Sequence, residues 1–156
     1  MMSDLSDIVT IEAVEAGFPA ANKKALFQHL AAAAARLTGV APKSILAALN
    51  AREKIGSTGF GGGSAIPHGK VEGLSRVFGY FVRLPTPIDF QAVDGMPVDL
   101  VFLLLSPPDA GVDHLKALAS VSRTFRDRQT LAKLRGARSK DALFALLAGE
   151  ETRDAA

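Results

Sequence analysis

Pro97-Val98-Asp99-Leu100-Val101-Phe102-Leu103-Leu104-Leu105 is almost continuously apolar and runs into Pro107-Pro108. A strand covered on one face alternates polar and apolar residues, whereas one covered on both faces does not. The stretch is far too short to cross a bilayer. It therefore predicts a central strand over 98–105, packed above and below, which the two prolines terminate.

The flanking sequence supplies the cover. Upstream, Val77 to Leu84 carries Phe78, Tyr80, Phe81 and Val82 and reads as a second strand, broken by Leu84-Pro85-Thr86-Pro87. Asp94-Gly95 between the two strands is a turn signal. Ile11 to Ala16 alternates with period two and predicts a half-buried strand. Asn22 is suited to cap a helix running to about Leu37, whose apolar stripe is Leu26, Phe27, Leu30, Ala34 and Leu37 and which Gly39 ends. Pro42 fits the first turn of a second helix with Ile45, Leu46 and Leu49 inward. Helices are predicted near 112–125, 130–134 and 141–147. Helices interspersed with doubly covered strands argue for an α/β layered sandwich.

The chain has 156 residues, 48% hydrophobic and 22% charged, with a net charge of +2. That is one ordinary globular domain by size and balance. Without cysteine, disulfides, thiolate nucleophiles and cysteine-bound metals are excluded. The start, Met-Met-Ser-Asp-Leu-Ser-Asp, lacks a basic region and an apolar run, so no signal peptide is expected and a soluble cytoplasmic protein is. The first few residues and the tail 149–156 read as frayed.

Glycine is concentrated at Gly59, Gly61, Gly62 and Gly63, shortly before Pro67-His68-Gly69-Lys70. The phosphate-loop pattern G-x-x-x-x-G-K-[ST] ending at Gly69-Lys70 fails, because Ser64 and Val71 occupy two of its fixed positions. The dinucleotide fingerprint started at Gly59 or Gly61 meets Ser64 or Ile66 where glycine is required. The nucleophile elbow around Ser64 fails at Ile66. The three histidines, His29, His68 and His114, show no paired ligand spacing, so no metal and no cofactor are expected.

What remains is His68 as a nucleophile toward phosphorus. That chemistry needs one unprotonated imidazole nitrogen, the other nitrogen's proton held by a fixed acceptor, and positive or N–H donors for the phosphoryl oxygens. Arg52, at the end of the helix that feeds the loop, is a candidate donor, and His114 is a second imidazole. Ser57 and Thr58 are placed to cap or donate to the loop, while Gly59, Pro67 and Gly69 shape it. His29, in mid-helix among alanines, reads as structural.

Arg52-Glu53-Lys54-Ile55-Gly56-Ser57-Thr58-Gly59-Phe60-Gly61 followed by Ala65-Ile66-Pro67-His68-Gly69-Lys70 resembles the active-site signature of phosphotransferase-system IIA proteins of the fructose/mannitol class, and within it the stand-alone nitrogen-regulatory branch. The likeness continues through Thr86-Pro87-Ile88, Pro97 to Phe102 and His114 to Leu118, about residues 5–148 of a single domain taken as 1–156. The resemblance implies a mixed, about five-stranded β-sheet sandwiched between helices. It implies that His68 is phosphorylated on Nε2, with Arg52 and His114 lining the site and binding the phosphoryl group. The donor it implies is an HPr-like carrier protein, and the targets are regulatory, such as potassium transporters or sensor kinases. The alternative within the family is a subunit that passes phosphate to a separate sugar permease. Ser64 departs from the pattern, since relatives more often carry an aliphatic residue there.

The basic residues Arg123, Arg126, Arg128, Lys133, Arg135, Arg138 and Lys140 read as the solvated face of two helices. Only Phe125 interleaves them, too little for a nucleic-acid stacking platform, so no nucleic-acid partner is expected.

Overall fold

The computed structural model describes residues 5–149. The frayed ends expected at the termini lie outside them, except for Gly149. The predicted central strand is β6, Val98–Ser106, and it sits in mid-sheet. Its neighbour β5, Phe78–Ile88, pairs with it antiparallel, Phe81 against Phe102. β1, Val14–Glu15, adds to β5 in parallel. On the other side of β6 lie β3, Ser64–Ala65, and β4, His68–Lys70, both parallel to it. β2, Gly59–Gly61, closes the edge as a hairpin with β3.

The mixed sheet thus has six strands in five lanes, because β3 and β4 are successive stretches along one side of β6. Ser64 faces Leu100 and His68 faces Leu104 with one constant offset. The lane is interrupted at Ile66-Pro67, where proline has no N–H to donate, although Pro67 still accepts a hydrogen bond from the Leu104 N–H at 2.9 Å.

Alternation along the strands assigns the two faces. Phe81 and Phe102 point together onto Phe125 of α3, Val112–Arg126, in edge-on contacts. On that face Arg83 Nη1 donates to Leu134 O at 2.8 Å, at the end of α4, Arg128–Gly136, where carbonyls lack helical partners. Tyr80 points to the opposite face, where its hydroxyl donates to Glu15. Glu15 also takes His29 Nε2 at 2.7 Å from α1, Lys23–Thr38. α2, Pro42–Ile55, lies beside α1, and α5, Lys140–Leu147, packs near β1. The sheet is sandwiched between helices.

Asn22 caps α1 through Ala25 N at 2.8 Å, Gly39 ends it with φ +80°, and Pro42 opens α2. Two expectations need correction. Ile11–Ala13 is a 3-10 turn, and only Val14–Glu15 is strand. Ile11 and Val14 recur at three residues, the 3-10 period, which a two-residue alternation would place on opposite faces. The prolines after Leu84 do not end β5. Pairing with β6 jumps from Arg83–Leu100 to Ile88–Val98, and exposed Pro85, Thr86 and Pro87 bulge outward while the chain stays extended.

Candidate phosphoryl site

His68 sits at the start of β4, half-buried. Its Nδ1 lies 2.8 Å from the Ile66 carbonyl. A carbonyl oxygen only accepts, so Nδ1 carries the proton and the lone pair is left on Nε2. Arg52 Nε donates to that Nε2 at 3.2 Å, and Arg52 Nη1 is held by Gly56 O at 2.8 Å. Burial, above all, lowers the His68 pKa below 6.5. The Arg52 charge lowers it further, and the Ile66 hydrogen bond and Glu53 oppose. Burial thus favours the neutral imidazole, with Nε2 the unprotonated nitrogen.

α2 reaches this point because β4 carries no side chain at Gly69. A Cβ there would lie 3.2 Å from Ala48 Cβ. Arg52 is one turn beyond Ala48 on the same helix face and so projects past the sheet edge to His68. The opposite wall is the first turn of α3. His114 is buried, and its ring centroid lies 5.8 Å from that of His68. Burial, then the His68 and Lys70 charges, hold its pKa low as well. The structure therefore brings Arg52, His68 and His114 together from α2, β4 and α3.

The remaining predicted residues have other partners. Ser57 Oγ donates to Phe90 O at 3.0 Å and accepts from Gly59 N. Thr58 is buried and gives both its N–H and its hydroxyl to Glu53, at 2.8 and 2.7 Å. Gly59 lies under Ala92, where a Cβ would come within 2.6 Å. Pro67 and Gly69 flank His68 in the β4 lane. His29 stacks on Phe18 at 3.6 Å on the far side of the sheet.

The glycine run is separate from this cluster. Gly61, Gly62 and Gly63 all have positive φ, from +66° to +113°, and form the tip of the β2–β3 hairpin. Four residues of parallel register, about 13 Å, separate Ser64 from His68. The tip is pinned: Gly62 N donates to Asp94 at 2.9 Å, and Gly62 O accepts from Arg135 Nη2 at 2.8 Å. Arg135 also holds Asp99 through Nε and Nη2, so one member of the basic cluster is structural rather than merely solvated. Ser64, the departure from the family pattern, is fully buried and satisfied by donating to Gly61 O at 2.8 Å.

The sequence reading missed Glu53, Asp94, Asp99, Arg135 and Ser106 as parts of this architecture. Ser106 left a signal as a polar residue closing an apolar strand, and Asp94 as half of the Asp94-Gly95 turn, though not as the partner of Gly62. Among the described residues no group of three or more His, Asp or Glu is placed to hold a metal, and no helix is long and apolar enough to span a membrane.

A family model described as the phosphoenolpyruvate-dependent sugar phosphotransferase system, EIIA 2, matches residues 7–149. The chain belongs to this EIIA family. A nitrogen regulatory protein of Bradyrhizobium diazoefficiens is 49% identical to this EIIA protein over 144 residues, covering 92% of this chain and 94% of that one. A fructose-specific EIIA component of Haloferax volcanii is 34% identical over 148 residues, covering 94% and 96%. The crystal structure of nitrogen regulatory protein IIA-Ntr from Neisseria meningitidis superposes with a TM-score of 0.87 at 33% identity, covering 92% of this EIIA chain and 98% of that one.

Proposed function

We propose that this protein is a cytoplasmic, single-domain phosphohistidine carrier of a nitrogen-related phosphotransferase system. His68 Nε2 attacks the phosphorus of a phosphohistidine on an HPr-like carrier. The new N–P bond forms as the donor's N–P bond breaks, and that electron pair returns to the donor's imidazole. Arg52 neutralises charge on the transferring oxygens, and His114 binds them from the other side. The observation that carries this reading is the Nδ1–H bond to Ile66 O at 2.8 Å, which leaves Nε2 unprotonated with its lone pair toward Arg52.

Exposed apolar side chains flank the three residues: Ile55 beyond Arg52, and Val112 and Leu115 beside His114, each more than 60% exposed. They suit a landing face for a carrier protein. Phosphorylation adds roughly two negative charges there, enough to favour or block a partner by local electrostatics. The likeness to nitrogen regulatory proteins supports regulatory targets, for which potassium transporters or sensor kinases are the proposed kinds. The fructose-specific relative supports the second reading, delivery of phosphate to a separate sugar permease.

Incubation with phosphoenolpyruvate and the carrier cascade tests the proposal. The expected result is an acid-labile mass gain of one phosphate that His68→Ala abolishes. No gain in the wild-type protein would overturn the carrier function, and a gain that survives His68→Ala would overturn the site.

A further inference from the structure

Ser106 closes the apolar central strand and is fully buried. Leu104 pairs with His68, and Ser106 is two residues further along β6, so its side chain leaves the sheet on the same face as His68. Its backbone is fixed by pairing with Lys70 and by the Val71 N–H, which donates to Ser106 O at 2.8 Å. From this anchored position Ser106 Oγ lies 2.6 Å from His114 Nδ1, across the Pro107–Gly111 turn.

The direction of that bond follows from what the hydroxyl can reach. A buried donor left without an acceptor is unfavourable, because it gives up its bond to water and gains none in return. Among the described residues, His114 Nδ1 is the hydrogen-bond partner of the Ser106 hydroxyl. The O–H therefore donates and Nδ1 accepts. A neutral imidazole whose Nδ1 lone pair is engaged carries its proton on Nε2.

We propose that Ser106 is a positioning residue that holds His114 in the Nε2–H tautomer, so that a hydrogen-bond donor faces a phosphoryl group on His68. This rests on His68 being the phosphoryl acceptor. The two rings are then complementary. His68 keeps its proton on Nδ1 and offers a lone pair, whereas His114 keeps its proton on Nε2 and offers a donor. The reverse tautomer of His114 would turn a lone pair toward anionic oxygens and leave the buried serine proton without an acceptor. Burial favours the neutral form of His114, the state in which its tautomer matters.

Long-range 1H–15N correlation spectra of the histidine-labelled, unphosphorylated full chain, recorded well above pH 6.5, read the tautomer directly. The wild-type protein is expected to show His114 as Nε2–H, and Ser106→Ala to shift it toward Nδ1–H. Ser106→Ala is also expected to slow phosphoryl transfer from the carrier roughly tenfold, the equivalent of about 1.4 kcal/mol in the barrier. In a His114→Ala background the same substitution is expected to change the rate less than twofold, since it acts through the imidazole. An Nδ1–H tautomer in the wild type, an unchanged tautomer in Ser106→Ala, or a full tenfold loss persisting without His114 would each overturn the proposal. A wild-type protein that accepts no phosphate would instead overturn the function of His68, and the tautomer measurement would still decide the Ser106–His114 bond.

Discussion

The glycine hairpin at 59–65 and the histidine lane at 68–70 flank the same side of β6, yet they are built for opposite purposes. At the hairpin tip Asp94, Asp99 and Arg135 close around Gly62. Around His68 the hydrogen bonds stop short: Nδ1 is tied down, and Nε2 is met only by a cation that can transfer its attention to a phosphoryl oxygen. The glycines mark where backbone must turn tightly. The proposed chemistry sits about four residues away, where one nitrogen keeps its lone pair.

Substitutions that separate rate from stability sharpen this contrast. Arg52→Ala removes the guanidinium from His68 Nε2 and is expected to slow phosphoryl transfer roughly a hundredfold, as loss of one preorganised charged donor does. Thermal unfolding should barely change, since the side chain is only half-buried. A rate within threefold of wild type would remove Arg52 from the site. Gly63→Ala acts in the other direction. It forces an alanine to φ +83° and pushes Arg135 aside, costing about 1–2 kcal/mol of stability at an unchanged transfer rate per folded molecule, measured by denaturant titration beside a transfer assay. A large rate loss in the folded protein would join the hairpin to the chemistry and break the comparison.

Arg135→Ala removes an exposed ion pair and should cost under about 1 kcal/mol, again without affecting transfer. The smallest effect concerns pH. Both site histidines have folded-state pKa values lowered from 6.5, chiefly by burial. Between those lowered values and 6.5 the unfolded chain binds more protons than the folded one, so stability declines as pH falls below 6.5. The transfer rate should stay flat as pH falls through 6.5 and drop only below it, where His68 protonates. A rate that already halves near pH 7 would contradict the lowered pKa of His68.

Local signals were legible in the sequence because their partners are local. Asn22, Gly39 and Pro42 act within a few residues of themselves, and their caps appear where read; the Asp94-Gly95 turn is likewise in place, but the reach of Asp94 to Gly62, 32 positions away, left no trace. The almost continuously apolar run of β6 announced burial on both faces. The Arg52, His68 and His114 cluster could be named from motif and resemblance, but its geometry depends on the Gly69–Ala48 contact and on the register of β4 against β6. Glu53, Arg135 and Ser106 were not legible as contributors. Arg135 reaches Asp99 across 36 positions and Gly62 across 73, and no pattern of spacing foretells such pairs. The glycine run, the loudest feature of the sequence, is of the same kind: its density reports backbone geometry, and only the fold says what that geometry is near.

Whether the unprotonated Nε2 of His68 takes the phosphoryl group is read by phosphorylating 15N-histidine-labelled protein through the carrier cascade and recording nitrogen spectra with phosphorus coupling. Phosphorus is expected on His68 Nε2, with Nδ1 still protonated against Ile66 O. Phosphorus on Nδ1 of His68, or on any other residue, would contradict that assignment.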